Sequence, residues 1–210
     1  MTYKWVRDQV LKLLNQYSIA GTPVARTYNN QEDYLNRIPS LVNDAIMEIA
    51  TTAKKIPATV RLADLYREED EGGNARYRLP SNFFQFQTGS VVKTTDGRRL
   101  HTNVYQVEDR SYFLVPKDEV GDYSITYYRY PALLPDSPAE SARLDNTEET
   151  HMAIPYYVAA FLVSGEDAFR CALFNNKYED KLAKMSSGVF VEVSPVDDVY
   201  GSEGGGIYVC

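Results

Sequence analysis

Residues 34–53 read Tyr34-Leu35-Asn36-Arg37-Ile38-Pro39-Ser40-Leu41-Val42-Asn43-Asp44-Ala45-Ile46-Met47-Glu48-Ile49-Ala50-Thr51-Thr52-Ala53, and their periodicity decides the fold class. Leu35, Ile38, Val42, Ala45, Ile46, Ile49 and Ala53 recur at intervals of three and four, the spacing that gathers side chains on one face of a helix. Pro39 interrupts the stripe. Proline is tolerated in a first helical turn and disfavoured in an interior, so the spacing predicts a short turn at 32–38 and a long helix at about 39–55, ended before Pro57.

Toward the amino terminus, Trp5, Val6, Val10, Leu13, Leu14 and Tyr17 form a second stripe opposite Lys4, Arg7, Asp8 and Lys12, which predicts a helix over 3–18. Toward the carboxy terminus the period falls to two. Val60, Leu62 and Asp64-Leu65 read as a strand, Arg67 to Gly73 as an acidic loop, and Gly89 to Lys93, Leu100 to Tyr105, Tyr112 to Val115 and Ser124 to Tyr130 as further strands. Asp96-Gly97 is a hairpin signal, because both residues accept the positive φ that a tight turn demands.

Residues 131–146 hold three prolines and many small polar residues and read as a connector rather than a packed element. Helices resume at Thr147-Glu148-Glu149, with Ile154, Val158, Phe161 and Leu162 on an apolar face. A last helix over Gly165 to about Met185 is expected to bury Phe169, Ala172, Leu173, Tyr178 and Leu182. The segments add up to an α+β protein. Two helices in 1–57 and two in 131–186 form a helical bundle, an antiparallel β domain is inserted at 58–130, and residues 187–210 form an extended carboxy-terminal arm.

The 210 residues carry 22 Lys and Arg against 29 Asp and Glu, a net charge of −7. By segment the balance is +2 for 1–57, −1 for 58–132, −4 for 133–186 and −4 for 187–210, so acidity gathers in the carboxy-terminal third. That balance disfavours non-specific nucleic-acid binding, which depends on cations neutralising phosphates. No apolar run reaches the ~18 to 20 residues of a membrane span, and the charged amino terminus lacks the apolar segment of an export signal, so a soluble protein that nothing marks for export is expected.

Catalytic chemistry finds little support. Glu68 to Glu71 sit in a glycine-flanked loop and read as solvated, Ser164-Gly165-Glu166 lacks a nucleophile elbow, and His151 reads as a surface or capping residue. Gly72-Gly73 and Gly204 to Gly206 lack the lysine and strand-to-helix setting of a phosphate loop. The two histidines and two cysteines have no ligand spacing, so no metal, no cofactor and no disulfide framework is expected. Arg98-Arg99 with His101 reads as a solvated turn at a hairpin tip, or as a contact for phosphate or an acidic partner. Tyrosine is abundant, at 17 against 8 phenylalanines; Tyr123, Tyr127, Tyr128, Tyr130, Tyr156 and Tyr157 either face a partner or fill the protein's own core.

The arm is the most informative segment. Val189, Phe190, Val191 and Val193 alternate with Glu192 like a strand, and Ile207, Tyr208 and Val209 form an apolar tip beyond a glycine-rich stretch. Such a segment either frays or docks, and strand-forming and apolar residues separated by glycines point to docking by strand addition and apolar burial on another chain.

Several stretches together resemble the head-to-tail adaptor (connector) proteins of tailed bacteriophages. They are Tyr34 to Ala45 leading into Ile49-Ala50, Leu79-Pro80-Ser81-Asn82-Phe83, Tyr128-Arg129-Tyr130-Pro131, Ile154 to Ala160, and Phe174-Asn175-Asn176-Lys177-Tyr178-Glu179, together covering about residues 30–186. The resemblance implies a virion structural protein of the neck, a ring of about twelve copies under the portal that continues the DNA channel toward the tail. It implies as partners the portal protein, a tail protein and further copies of itself, with DNA passing through unbound and the carboxy-terminal arm reaching the portal. Rival readings are a tail-completion or tube-terminator protein of the same particle, or a small enzyme or ligand-binding module.

Overall fold

The computed structural model describes residues 1–15, 30–69, 74–95, 98–101, 106–108, 111–116 and 122–186. The fold is mixed α and β. Its helices are α1 (Tyr3–Leu13), α2 (Asn30–Thr52), α3 (Ile154–Val163) and α4 (Ala168–Ser186), with short 3₁₀ turns at Leu62–Asp64 and Glu148–Met152. Its strands are β1 (Ile56–Arg61), β2 (Arg67–Glu69), β3 (Asn74–Arg78), β4 (Phe83–Thr95), β5 (Arg98–His101), β6 (Gln106–Glu108), β7 (Tyr112–Pro116) and β8 (Asp122–Arg129). They form two antiparallel sheets in the orders β1-β8-β4-β5 and β2-β3-β7-β6.

Buried side chains fall into two clusters. One joins all four helices, with Val6, Val10, Ile38, Val42, Ile46, Ile49, Ile154, Val158, Leu162, Phe174 and Tyr178 among its members. The other draws Val91, Tyr123 and Ile125 from the first sheet and Phe113 and Val115 from the second, with Leu62 and Leu79. Helix α3 is apolar nearly all round, as a helix must be when neighbours cover it on several sides; it packs on α1, α2 and α4.

Pro39 corrects the expected break. Helix α2 runs unbroken through it, with Pro39 itself buried. An interior proline costs about 3 kcal/mol through its missing N–H and its clash with the preceding turn. Continuity offsets this, because Tyr34 and Ile38 before the proline and Val42, Ala45 and Ile49 after it then enter one core. Helix α1 is capped by the Thr2 hydroxyl, which accepts from the Trp5 amide at 3.4 Å, and it stops at Leu13 rather than at 18. Asn15 explains the stop: its φ of 58° is the left-handed conformation that ends a helix, one that asparagine tolerates.

In the β part, Arg67–Glu69 is a strand rather than part of a loop, paired with Tyr77, Arg76 and Ala75; residues 70–73 lie outside the described ones. Strand β4 begins at Phe83, six residues before the expected Gly89, because irregularities between Phe83 and Gln85 and between Phe86 and Val91 break its alternation. The pairing of Thr95 with Arg98 leaves a two-residue connection at 96–97, as the Asp-Gly signal requires. Pro57 lies inside β1, tolerated because β1 is the outermost strand and one of its edges needs no donor.

The connector is also corrected. Leu134 and Leu144 are buried with the helices, and the Asn43 side chain grips the Leu134 backbone twice, donating to its carbonyl at 2.9 Å and accepting from its amide at 2.8 Å. The chain start joins it: the Tyr3 and Lys4 amides donate to the carbonyls of Ala142 and Glu140 at 2.8 and 3.1 Å. Among the described residues no helix is long and apolar enough to cross a membrane.

Candidate functional site

Helix α4 starts where Asp167 accepts from the Arg170 amide at 2.9 Å. Its inward face is Phe174 and Tyr178, with Cys171, Leu182 and Met185 at the margin. Phe169 and Leu173 point outward and are 79% and 45% exposed, and Phe161 at the end of α3 is 44% exposed. The expectation that Phe169, Ala172, Leu173 and Phe161 lie inside is therefore overturned. The expected stripe of 169, 172, 173, 178 and 182 takes a five-residue step from Leu173 to Tyr178, whereas 171, 174, 178, 182 and 185 keep to steps of three and four, and it is the second set that enters the core. Polar bonds hold this face in place. The Tyr178 hydroxyl donates to Glu48 at 3.2 Å, and the Arg170 guanidinium donates to the Leu13 carbonyl at 2.8 Å.

Tyr34 on α2 donates to Glu166, just before α4, at 2.7 Å. Burial, then the Glu166 hydrogen bond, pushes its hydroxyl up to about 12. Burial and the Glu48 carboxylate likewise raise Tyr157 to about 12 and move Tyr178 further in the same direction. These hydroxyls are neutral donors at any physiological pH and hold α2 against α3 and α4; they are not poised for proton transfer.

The meeting of sheet and helices is a second polar centre. Arg129, the last residue of β8, donates to both carboxylate oxygens of Asp145 at 2.5 and 2.6 Å, and the Ala132 amide adds a third donor at 2.7 Å. The Arg129 hydrogen bond is the main cause that holds the Asp145 carboxyl below its usual range. Nearby, the Tyr130 amide donates to the Asn82 carbonyl at 2.8 Å and Lys55 donates to Gln85 at 2.8 Å. Neither Arg129 nor Asp145 was singled out in the sequence as a structural pair. Asp145 is one of three acids in a proline-rich stretch, and nothing local sets it apart from Asp136 and Glu140.

The remaining candidates are scattered. Glu68 lies 3.8 Å from Arg76, which also meets Glu108 at 3.0 Å and stacks over Tyr112. His151 is buried at 2% exposure, which overturns its reading as a surface or capping residue. Burial is the main cause that lowers its pKa, and its Nε2 has no hydrogen-bond partner among the described residues. Tyr123 and Tyr127 fill the β part and Tyr157 the helical core, whereas Tyr128 lies under the Lys55 ammonium and Tyr130 is 38% exposed. Phe83, Phe84, Gln85, Phe86 and Val107 line an open groove. No group of three or more His, Cys, Asp or Glu among the described residues is arranged to hold a metal. The side chains of Arg98, Arg99 and His101 lie outside the described residues, as do Val189, Phe190, Val191, Val193, Ile207, Tyr208 and Val209 of the arm.

Comparison with protein-family models and with curated proteins gave no match to this chain.

Proposed function

We propose that the protein is a structural adaptor of a phage virion. It forms a ring beneath the portal, joins the DNA-filled head to the tail and continues the DNA channel. The observation that supports this reading is spatial: the stretches on which the resemblance rests, far apart in sequence, come together in pairs. Residues 34–45 meet 154–160 and 174–179 in one helical core, and Asn82 meets the 127–130 segment through the Tyr130 amide and the Tyr127 hydroxyl. A family pattern of packing residues predicts this behaviour.

In this reading the helices form a bundle that builds the ring wall, and the β part, residues 58–130, projects at its outer or tail-facing side. A subunit carrying −7 presents the genome with a surface it slides past. The arm at 187–210 supplies the attachment to the portal through Val189 to Val193 and Ile207 to Val209. Mixing the purified chain with its portal, followed by size measurement, tests the proposal: a stable complex of many copies is expected, and persistent separation of the two contradicts it.

A further inference from the structure

Within residues 146–151, where the connector turns into the last two helices, three polar side-chain atoms are buried with no hydrogen-bond partner among the described residues: Asn146 Oδ1, Thr147 Oγ1 and His151 Nε2. The groups around them are tightly bonded. The Asn146 side-chain amide donates to the Thr150 hydroxyl at 2.5 Å, and that hydroxyl donates in turn to the Thr147 carbonyl at 2.7 Å. The His151 ring, 2% exposed, donates to the Asn146 carbonyl. Because Nε2 is the nitrogen without a partner, the donor is Nδ1–H, and the neutral ring turns the bare lone pair of Nε2 into the interior.

We propose that these three atoms are the binding site of one internal water molecule, which donates its two hydrogens to His151 Nε2 and Asn146 Oδ1 and accepts from the Thr147 hydroxyl. The chemistry of the set selects this ligand. The imidazole nitrogen and the amide oxygen only accept, so whatever satisfies both must donate twice. The Thr147 hydroxyl is a donor, yet it is bonded to neither of them. Buried waters typically make about three hydrogen bonds, and polar groups held near one another without direct contact are where they are found. A metal ion fits poorly. None of the three groups is a carboxylate or a thiolate, and Glu148, the acid that acts on the His151 ring, is exposed, so an ion here would be buried without counter-charge.

The turn that carries the site also seats α3. The Thr150 amide donates to the Thr147 carbonyl and the Ala153 amide to the Thr150 carbonyl, each at 3.0 Å, and α3 begins at the next residue, Ile154. The water thus completes the polar joint from which α3 enters the helical core, and it supplies the hydrogen bonds without which burial of these groups would be costly. The site belongs to the fold of the single chain and does not depend on the adaptor reading.

Water-selective NOE and ROE spectra of the full chain in neutral buffer test the proposal, with His151 assigned by comparison with His151→Gln. The carbon-bound Hδ2 and Hε1 of the ring flank Nε2, and both should show cross-peaks to water with the relative signs of a molecule that tumbles with the protein. Thr147→Val removes the hydroxyl that would relay exchanging protons to the ring and leaves the water two bonds, so the cross-peaks should persist in it. A crystal structure of the wild-type chain should place a water within about 3.2 Å of both His151 Nε2 and Asn146 Oδ1. Wild-type spectra without the cross-peaks overturn the proposal. Cross-peaks lost in Thr147→Val overturn it in favour of the hydroxyl donating straight to Nε2. Equimolar Zn²⁺ that shifts the His151 resonances and abolishes the cross-peaks overturns it in favour of a metal ion.

Discussion

Arg129 and Asp145 form a two-pronged ion pair, both guanidinium nitrogens within 2.6 Å of carboxylate oxygens, that ties the end of β8 to the turn leading into the last two helices. Both side chains are less than one third exposed, so the bond is charge-assisted and poorly screened. It links the β part to the helices that follow it.

Asp145→Asn should therefore lower unfolding stability by about 2 kcal/mol, the scale of a charge-assisted hydrogen bond removed with its partner left behind. The same pair gives a pH signature. A carboxyl whose folded pKa is depressed contributes stability that is present above its unfolded value near 3.8 and is lost as pH falls through the folded value. Urea midpoints measured between pH 5 and pH 2.5 should fall more steeply in the wild type than in Asp145→Asn. Parallel curves would show that the pair is worth nothing.

His151 acts at higher pH. Its folded pKa is lowered from 6.5 by burial, so the unfolded chain binds a proton that the folded one refuses. Stability should be fully present above pH 6.5 and decline as pH falls below it toward the folded value. In an NMR titration His151, identified by its absence in His151→Gln, should titrate below the ordinary histidine range. A normal midpoint would contradict its burial.

The phase of α4 is tested by paired substitutions. Phe174→Ala, at 6% exposure, should cost about 3 to 5 kcal/mol, whereas Phe169→Ala at 79% exposure should stay within about 0.5 kcal/mol. A large loss at Phe169 would restore the buried face that the sequence suggests.

Asn43→Ala removes both side-chain bonds to the Leu134 backbone and leaves a partly buried amide and carbonyl unpaired. A loss of about 1 to 3 kcal/mol is expected in denaturant unfolding, and Asn43→Asp should recover only the half in which the side chain accepts.

The four helices and most strands were legible in the sequence because periods of 3.6 and two reflect burial on one face, and this protein buries one face of nearly every element. What escaped had other causes. Pro39 obeys a tertiary preference that overrides its local cost, and the reading of α4 accepted a five-residue step from Leu173 to Tyr178 that one helical face does not make, where Phe174 is the residue that enters the core. Residues 131–146 look like a linker by composition, yet Leu134 and Leu144 are held by Asn43 and by the chain start, contacts that leave no local pattern. Of the surface features, the exposed Phe169 was visible only as a misassigned core residue, and the groove at β4 was hidden by that strand's irregular register.

The arm is assigned its role by its apolar pattern alone. Deleting residues 187–210 should spare the fold of 1–186, with circular dichroism and melting unchanged, and abolish attachment to the capsid. Tailed, infectious particles at the normal level from the truncated protein would contradict that role.

Cryo-electron microscopy of the phage neck tests the central claim most directly. A closed ring of this chain seated between portal and tail, with DNA running through its lumen, is the predicted result. Complete particles whose neck contains no copy of the chain would contradict it.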